Sequence, residues 1–142
     1  MPTPDWAERM VKEVARRRRQ PAPAIYWRQT RRRRSAGSAD SFRRGNCVSM
    51  AAGYDPVDQR LVLLHELAHW LGTPDEGHSP QFWARAWNLF RRYRVPVHYA
   101  LAREGEYEGA VLAYKKFLAQ SRNGHRNGHR PARSLTGARA RR

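Results

Sequence analysis

Cysteine is nearly absent from this sequence: Cys47 is the only one among 142 residues. An intrachain disulfide, a zinc ribbon built from Cys-x-x-Cys pairs and an iron–sulfur cluster bound by this chain alone are therefore excluded. We expect Cys47 to be a small, buried residue of a strand. A metal ion bound by this chain must be held by histidine and carboxylate groups.

Long apolar runs are absent as well, since no stretch of eighteen apolar residues occurs. A membrane-spanning helix is not expected. The first residues lack the charged-then-apolar order of a secretory signal, so the protein is predicted to be soluble and cytoplasmic. The length, with both ends rich in arginine and proline, predicts one domain with a modest core.

Acidic residues are scarce: twelve stand against twenty-eight basic ones, giving a formal net charge of +16. Such an excess usually indicates a nucleic acid or another polyanion as partner. Arginine, however, outnumbers lysine by 25 to 3. A GC-rich genome produces the same bias, so both a selected nucleic-acid surface and a compositional origin remain open.

The first half of the chain predicts one helix and a small antiparallel sheet. Asp5 can cap a helix over about residues 6–18, which ends before Pro21. Residues 24–27 are typical of a strand, residues 35–39 of a weak second strand and residues 46–51 of a better third one.

The second half predicts further helices. Asp55 caps a helix over residues 57–71, and Gly72 ends it. Ser79 begins a helix rich in aromatic residues, which we expect to be core residues and which ends near Pro96. Residues 97–120 are again helical, with a break near Gly105 or Gly109. The sequence therefore predicts an α+β domain over residues 1–120 and a disordered basic tail over residues 121–142.

The segment His65-Glu66-Leu67-Ala68-His69 lies within the second predicted helix. His65 and His69 are four residues apart, so their imidazoles share one helix face and can bind a single zinc ion. Glu66 points roughly 100° away around the helix and can hydrogen-bond a water held by the zinc. Zinc lowers the pKa of such a water, so Glu66 is the candidate general base and the site predicts hydrolysis of a carbonyl compound.

A third zinc ligand must come from outside this helix. His78 follows a short return loop and directly precedes the cap of the next helix, which favours it as that ligand. Asp75 is the alternative, because residues 65–75 can be written His-Glu-x-x-His-x-x-Gly-x-x-Asp, similar to the metzincin pattern in its snapalysin-type variant. Carboxylates suited to hold the other nitrogen of a ligating histidine are Asp75, Glu76, Asp55 and Asp58.

The stretch from His65 to Phe90 resembles the SprT-like and related small gluzincin-type zinc metallopeptidases, in which a nearby histidine and an aromatic helix follow His-Glu-x-x-His. The resemblance covers about residues 24–95 and implies a zincin-like fold, zinc as cofactor and protein or peptide substrates. It also implies that residues 46–53 form an edge strand that aligns an extended substrate. Two features depart from the family: Ser79 stands where glycine is common, and no zinc ribbon is present.

The sequence thus predicts a zinc metallopeptidase with His65, His69 and His78 as ligands and Glu66 as base. The main alternative is a non-enzymatic nucleic-acid-binding protein with a structural zinc or none; hydrolysis of a bond other than a peptide also remains open. Tyr26 and Trp27 adjoin Arg28 and residues 31–34, which could stack bases and bind phosphates, although burial in the sheet is favoured. Candidates for oxyanion stabilisation are Tyr54, Tyr93, His98 and Tyr99.

Overall fold

The computed structural model describes residues 2–29 and 45–126 of the chain. These residues form five helices and two strands, in the order α1 (Asp5–Arg17), β1 (Ala24–Gln29), β2 (Cys47–Ala52), α2 (Pro56–Trp70), α3 (Pro80–Arg92), α4 (Val97–Glu104) and α5 (Ala110–Arg126). The predicted α+β class is confirmed. Among the described residues, no helix is both long and apolar enough to cross a membrane.

The sheet is parallel, so the predicted antiparallel pairing is wrong. β1 pairs with β2 in a register that runs from Ala24 opposite Cys47 to Gln29 opposite Ala52. The prediction placed a further strand, over residues 35–39, between them. Residues 30–46 separate the two strands, which is enough chain for the crossover of about a dozen residues that parallel pairing requires. The weak strand predicted over residues 35–39 lies outside the described residues.

β2 is the more deeply buried strand of this pair. Five of its six residues are buried, namely Cys47, Val48, Met50, Ala51 and Ala52. Continuous burial of this kind is typical of a parallel strand covered on both faces. The position predicted for Cys47 is confirmed. The turn before β2 is fixed by Asn46, whose side chain accepts a 2.8 Å hydrogen bond from Trp70 Nε1 at the end of α2.

α1 covers one side of the core with Ala7, Met10, Val11, Val14 and Ala15. Its cap differs from the prediction: Pro4 occupies the N-cap position, and Asp5 is the first helical residue. Asp5 therefore interacts favourably with the helix dipole as a charge in the first turn. The helix ends at Arg17, before the breaker at Pro21, as predicted.

α2 runs through the core and carries the His-Glu-x-x-His segment. Asp55 caps it as predicted, since its Oδ1 accepts hydrogen bonds from the backbone of Val57 at 2.7 Å and of Asp58 at 3.1 Å. Every residue from Leu61 to Ala68 is buried. A helix that is buried over this length must be covered on several sides, and α2 packs against β2, α1 and α3.

α3 packs against the other side of α2, and α4 and α5 pack against α3 and against each other. Ser79 caps α3, and the aromatic residues of α3 are buried as predicted: Phe82, Trp83, Trp87 and Phe90. α4 ends at Gly105, and Gly109, with a φ of +85°, precedes α5, so the predicted break falls at both glycines. Residues 121–126 continue α5 instead of starting the tail. The rest of the predicted tail, residues 127–142, lies outside the described residues.

Candidate metal centre

Three histidines converge at the end of α2. His65 and His69 lie on one face of that helix, and His78 comes from the loop that follows it. His78 Nε2 lies 3.1 Å from His65 Nε2 and 3.1 Å from His69 Nε2. The three side chains are therefore close enough to hold one metal ion, as predicted.

The loop that carries His78 is fixed by an ion pair. Glu76 pairs with Arg85 of α3, and Arg85 Nε donates a 3.1 Å hydrogen bond to the backbone oxygen of Ala68 in α2. This pair passes so close to Gly72 that a Cβ at that position would collide with both side chains. Glu76, which we considered as a partner of a ligating histidine, instead fastens the loop across the end of α2.

Glu104 orients His65, and sequence reasoning missed it. Glu104 Oε1 lies 2.9 Å from His65 Nδ1, and the two residues are 2% and 8% exposed. A carboxylate accepts a hydrogen bond from Nδ1–H, and in the neutral imidazole Nε2 then keeps its lone pair for a metal ion. No local motif marks Glu104, because it lies 39 residues from His65 and only the packing of α4 brings it there.

Burial, together with neighbouring charges, favours the neutral form of two of the three imidazoles. Burial, assisted by the neighbouring His65 and His78, lowers the pKa of His69 to about 3. Burial and the nearby His65 also lower the pKa of His78. Burial acts in the same direction on His65, but the hydrogen bond to Glu104 and the charges of Glu104 and Glu66 outweigh it and raise the pKa of His65. Neutral imidazoles with free lone pairs are what metal ligation requires.

Glu66 lies next to His65 in α2 and is 2% exposed. Its Oε2 is buried and has no hydrogen-bond partner among the described residues. Burial raises the pKa of Glu66 to about 7, against the opposing charge of His65. A buried carboxylate oxygen without a partner costs free energy, so this atom is placed where a water or a ligand group could satisfy it.

Three aromatic rings pack against the histidine cluster. Phe82 stacks on His69 with ring centroids 4.1 Å apart, and Trp83 stacks on His78 at 5.6 Å. Tyr107, from the turn between α4 and α5, lies 4.3 Å from the ring of His78. The prediction did not include Tyr107, whose approach depends on the same chain reversal that positions Glu104.

The other predicted site residues lie elsewhere. Asp75 is exposed in the loop and outside the histidine cluster. Asp58 pairs with Arg103 at 2.7 Å and accepts a 3.2 Å hydrogen bond from the hydroxyl of Tyr99, so both Asp58 and Tyr99 are engaged in packing α4. Tyr54 is exposed after β2. The ring contacts of the three histidines with aromatic residues involve only Phe82, Trp83 and Tyr107 among the described residues.

The two aromatic residues considered for nucleic-acid binding differ in burial: one lies on the surface and the other in the core. Tyr26 is 53% exposed, whereas Trp27 is buried against Trp6 with ring centroids 5.6 Å apart. Residues 31–34 lie outside the described residues. A separate cavity of about 440 Å³ between α1 and α3 is lined by four arginines, namely Arg17, Arg18, Arg85 and Arg92.

The donor set fits a zinc ion. Three histidine nitrogens lie within 4.8 Å of one another, a buried carboxylate hydrogen-bonds one of the imidazoles, and within residues 2–29 and 45–126 no fourth protein group joins them. Structural zinc sites use four protein ligands, whereas three ligands leave a position open for water and substrate. Comparisons of the chain with protein-family models, with curated proteins and with solved structures found no match.

Proposed function

We propose that this protein is a zinc-dependent metallohydrolase that cleaves peptide bonds within proteins. The observation that carries the proposal is the convergence of the Nε2 atoms of His65, His69 and His78, with Glu66 buried beside them. His65, His69 and His78 would hold the ion. A zinc ion with three protein ligands supplies Lewis acidity, which polarises a carbonyl and lowers the pKa of water to about 7.

Glu66 is the general base of the proposed reaction. Its position in α2, one residue after His65, directs it away from the ligand face, and Oε2 has no partner among the described residues. Glu66 accepts a proton from the attacking water and then donates it to the departing amine. Burial of the carboxylate excludes competing solvent from this transfer.

Glu104 and Tyr107 complete the proposed site. Glu104 keeps the proton of His65 on Nδ1, which leaves Nε2 available as a ligand. Tyr107 lies against His78, which places a phenol at the border of the cluster. We assign Tyr107 to stabilisation of the negative charge that develops on the substrate carbonyl, in place of Tyr54, Tyr93, His98 or Tyr99.

Two features support a peptide as substrate. The His-Glu-x-x-His segment followed by His78 and an aromatic helix resembles SprT-like and related small metallopeptidases. A proton that moves from water to Glu66 and on to a leaving group is needed most for an amine, which is a poor leaving group unless it is protonated. The excess of arginine residues, four of which line the cavity between α1 and α3, would recruit protein substrates that are bound to nucleic acid.

The substitution Glu66→Gln tests the proposed role. The amide keeps the size of the side chain but cannot accept the proton, so hydrolysis of an unfolded protein should fall by about 10²–10⁴-fold. Zinc content, measured by elemental analysis, should stay equal to that of the wild type. The matched control is Glu8→Gln, an exposed position on α1 that should change neither quantity. Full activity in Glu66→Gln would contradict the assignment.

A non-enzymatic nucleic-acid-binding protein is the second candidate. The cavity lined by four arginines favours it, together with the exposed ring of Tyr26. Nucleic-acid binding by the zinc-loaded protein without hydrolysis of any unfolded substrate, with or without DNA present, would support this candidate over the first.

A further inference from the structure

A second cavity, of about 300 Å³, lies between α3 and α5 beside the histidine cluster. His78 and Trp83 form its wall on the cluster side, and Leu112, Ala113 and Phe117 of α5 form the opposite wall. Trp83 also stacks on His78. The cluster and the cavity therefore share His78 and Trp83, so a group held in the cavity contacts one of the proposed ligands.

The lining of this cavity suits an apolar group. Leu112 is 59% exposed at its edge, although other apolar residues of the same helix, such as Ala110, are fully buried. Glu108 and Lys116 also border the cavity, and their opposite charges give it no net preference for an ion. Ligand pockets of about 300–1,000 Å³ with this kind of lining bind apolar groups. The volume is at the lower end of that range, which fits one side chain.

We propose that this cavity receives a large apolar side chain of the polypeptide substrate, from a residue that adjoins the cleaved bond. The proposal rests on the peptidase function proposed above. Consecutive Cα atoms are about 3.8 Å apart, so when a carbonyl is held at the cluster, a neighbouring side chain lies within a few ångströms of His78. The cavity behind Trp83 is the space that this side chain enters, and Leu112, Ala113 and Phe117 determine which side chains fit.

Cleavage-site mapping tests the preference. The zinc-loaded full chain is incubated with denatured, alkylated proteins, and the cleaved bonds are identified by mass spectrometry. Bonds that adjoin Leu, Ile, Met or Phe on one side should be cut about tenfold more often than bonds that adjoin Gly, because burial of one large apolar side chain has that effect or more. Cleavage with no such preference would overturn the inference and leave the proposed function standing.

Two variants, Ala113→Phe and Leu112→Gln, test the cavity itself, and a third, Ala119→Phe, is the control. Ala113→Phe fills it from α5 and should remove the preference for large side chains, with zinc content unchanged. Ala119→Phe makes the same substitution at an exposed position of α5 outside the cavity and should behave like the wild type. Leu112→Gln changes only an exposed residue and should weaken the preference about threefold, which gives a result even if Ala113→Phe folds poorly.

A binding measurement separates the two proposals. N-acetyl-leucinamide should shift the indole N–H resonance of Trp83 in the wild type and in Ala119→Phe, but not in Ala113→Phe. N-acetyl-glycinamide should shift it in none of them. If no protein is cleaved but the leucinamide shift is present, the proposed peptidase is wrong and the apolar cavity stands. If cleavage occurs without the leucinamide shift, the assignment of the cavity is wrong.

Discussion

The histidine cluster and the arginine-lined cavity between α1 and α3 show opposite ways of arranging charge in a chain of net charge +16. At the cluster, Glu104 and Glu66 are both buried next to His65. At the arginine-lined cavity, four arginines share one space, and within residues 2–29 and 45–126 carboxylates pair with two of them, Arg17 and Arg85. The affinity of a site for a cation is therefore decided by groups within a few ångströms, since exposed charges farther away are screened by water and salt.

The largest expected effect is the loss of zinc binding when one of the two histidines of α2 is removed. His69→Ala leaves two histidines, and zinc affinity should fall on the order of a hundredfold or more, because structural zinc sites in small proteins bind with about 10–16 kcal/mol in total and each ligand contributes a share. His65→Ala should act alike. Elemental analysis after dialysis measures the loss. An equal zinc content in the variants and the wild type would show that the ion binds elsewhere.

The two candidates for the third ligand can be ranked by the next experiment. His78→Ala should weaken zinc binding about as strongly as His69→Ala, because its Nε2 faces both other histidines at 3.1 Å. Asp75→Ala should have no measurable effect, since Asp75 is exposed and outside the cluster. Competition titration with a zinc chelator compares the two. Weaker binding in Asp75→Ala than in His78→Ala would favour the snapalysin-type arrangement.

A smaller loss of zinc affinity is expected when the carboxylate of Glu104 is removed. Glu104→Gln keeps an acceptor for His65 Nδ1 but removes the charge, and zinc affinity should fall about 10–100-fold, as is usual for partners of this kind. Glu106→Gln, an exposed neighbour, is the matched control. The nitrogen chemical shifts of His65 report whether the proton stays on Nδ1. Unchanged affinity in Glu104→Gln would mean that local charge does not decide cation binding here.

The sequence predicted what depends on nearby residues and missed what depends on distant ones. The spacing of His65 and His69, the cap at Asp55 and the return loop to His78 are local, and the structure has all three. The parallel pairing of β1 with β2 is not local, because the sequence between two strands does not state whether the chain returns by a hairpin or a crossover.

Glu104 and Tyr107 show the same limit within the site. Both approach the cluster because α4 and the turn after it fold back over α2, and neither belongs to a motif with fixed spacing to His65. Asp58 illustrates the opposite error: it is close to the motif in sequence but pairs with Arg103 near the start of α2, away from the histidines. Sequence spacing could not rank these carboxylates, whereas burial and hydrogen bonding could.

The smallest effect on the cluster is expected from the basic end of the chain. Removal of residues 127–142 deletes five arginines and only one large apolar residue, Leu135. Zinc content and the melting temperature should therefore stay unchanged, since the segment offers little apolar surface to pack. Affinity for duplex DNA should fall. The slope of the logarithm of the DNA association constant against the logarithm of salt concentration should become less steep by up to about 4, because each arginine can displace a counterion from phosphate. Replacement of the five arginines by glutamine, at constant length, should lower the DNA affinity and the salt slope equally. This result would show that charge is responsible. A strong drop in melting temperature on truncation would mean that this segment packs on the domain, and the cation site and the basic end of the chain would then not be independent.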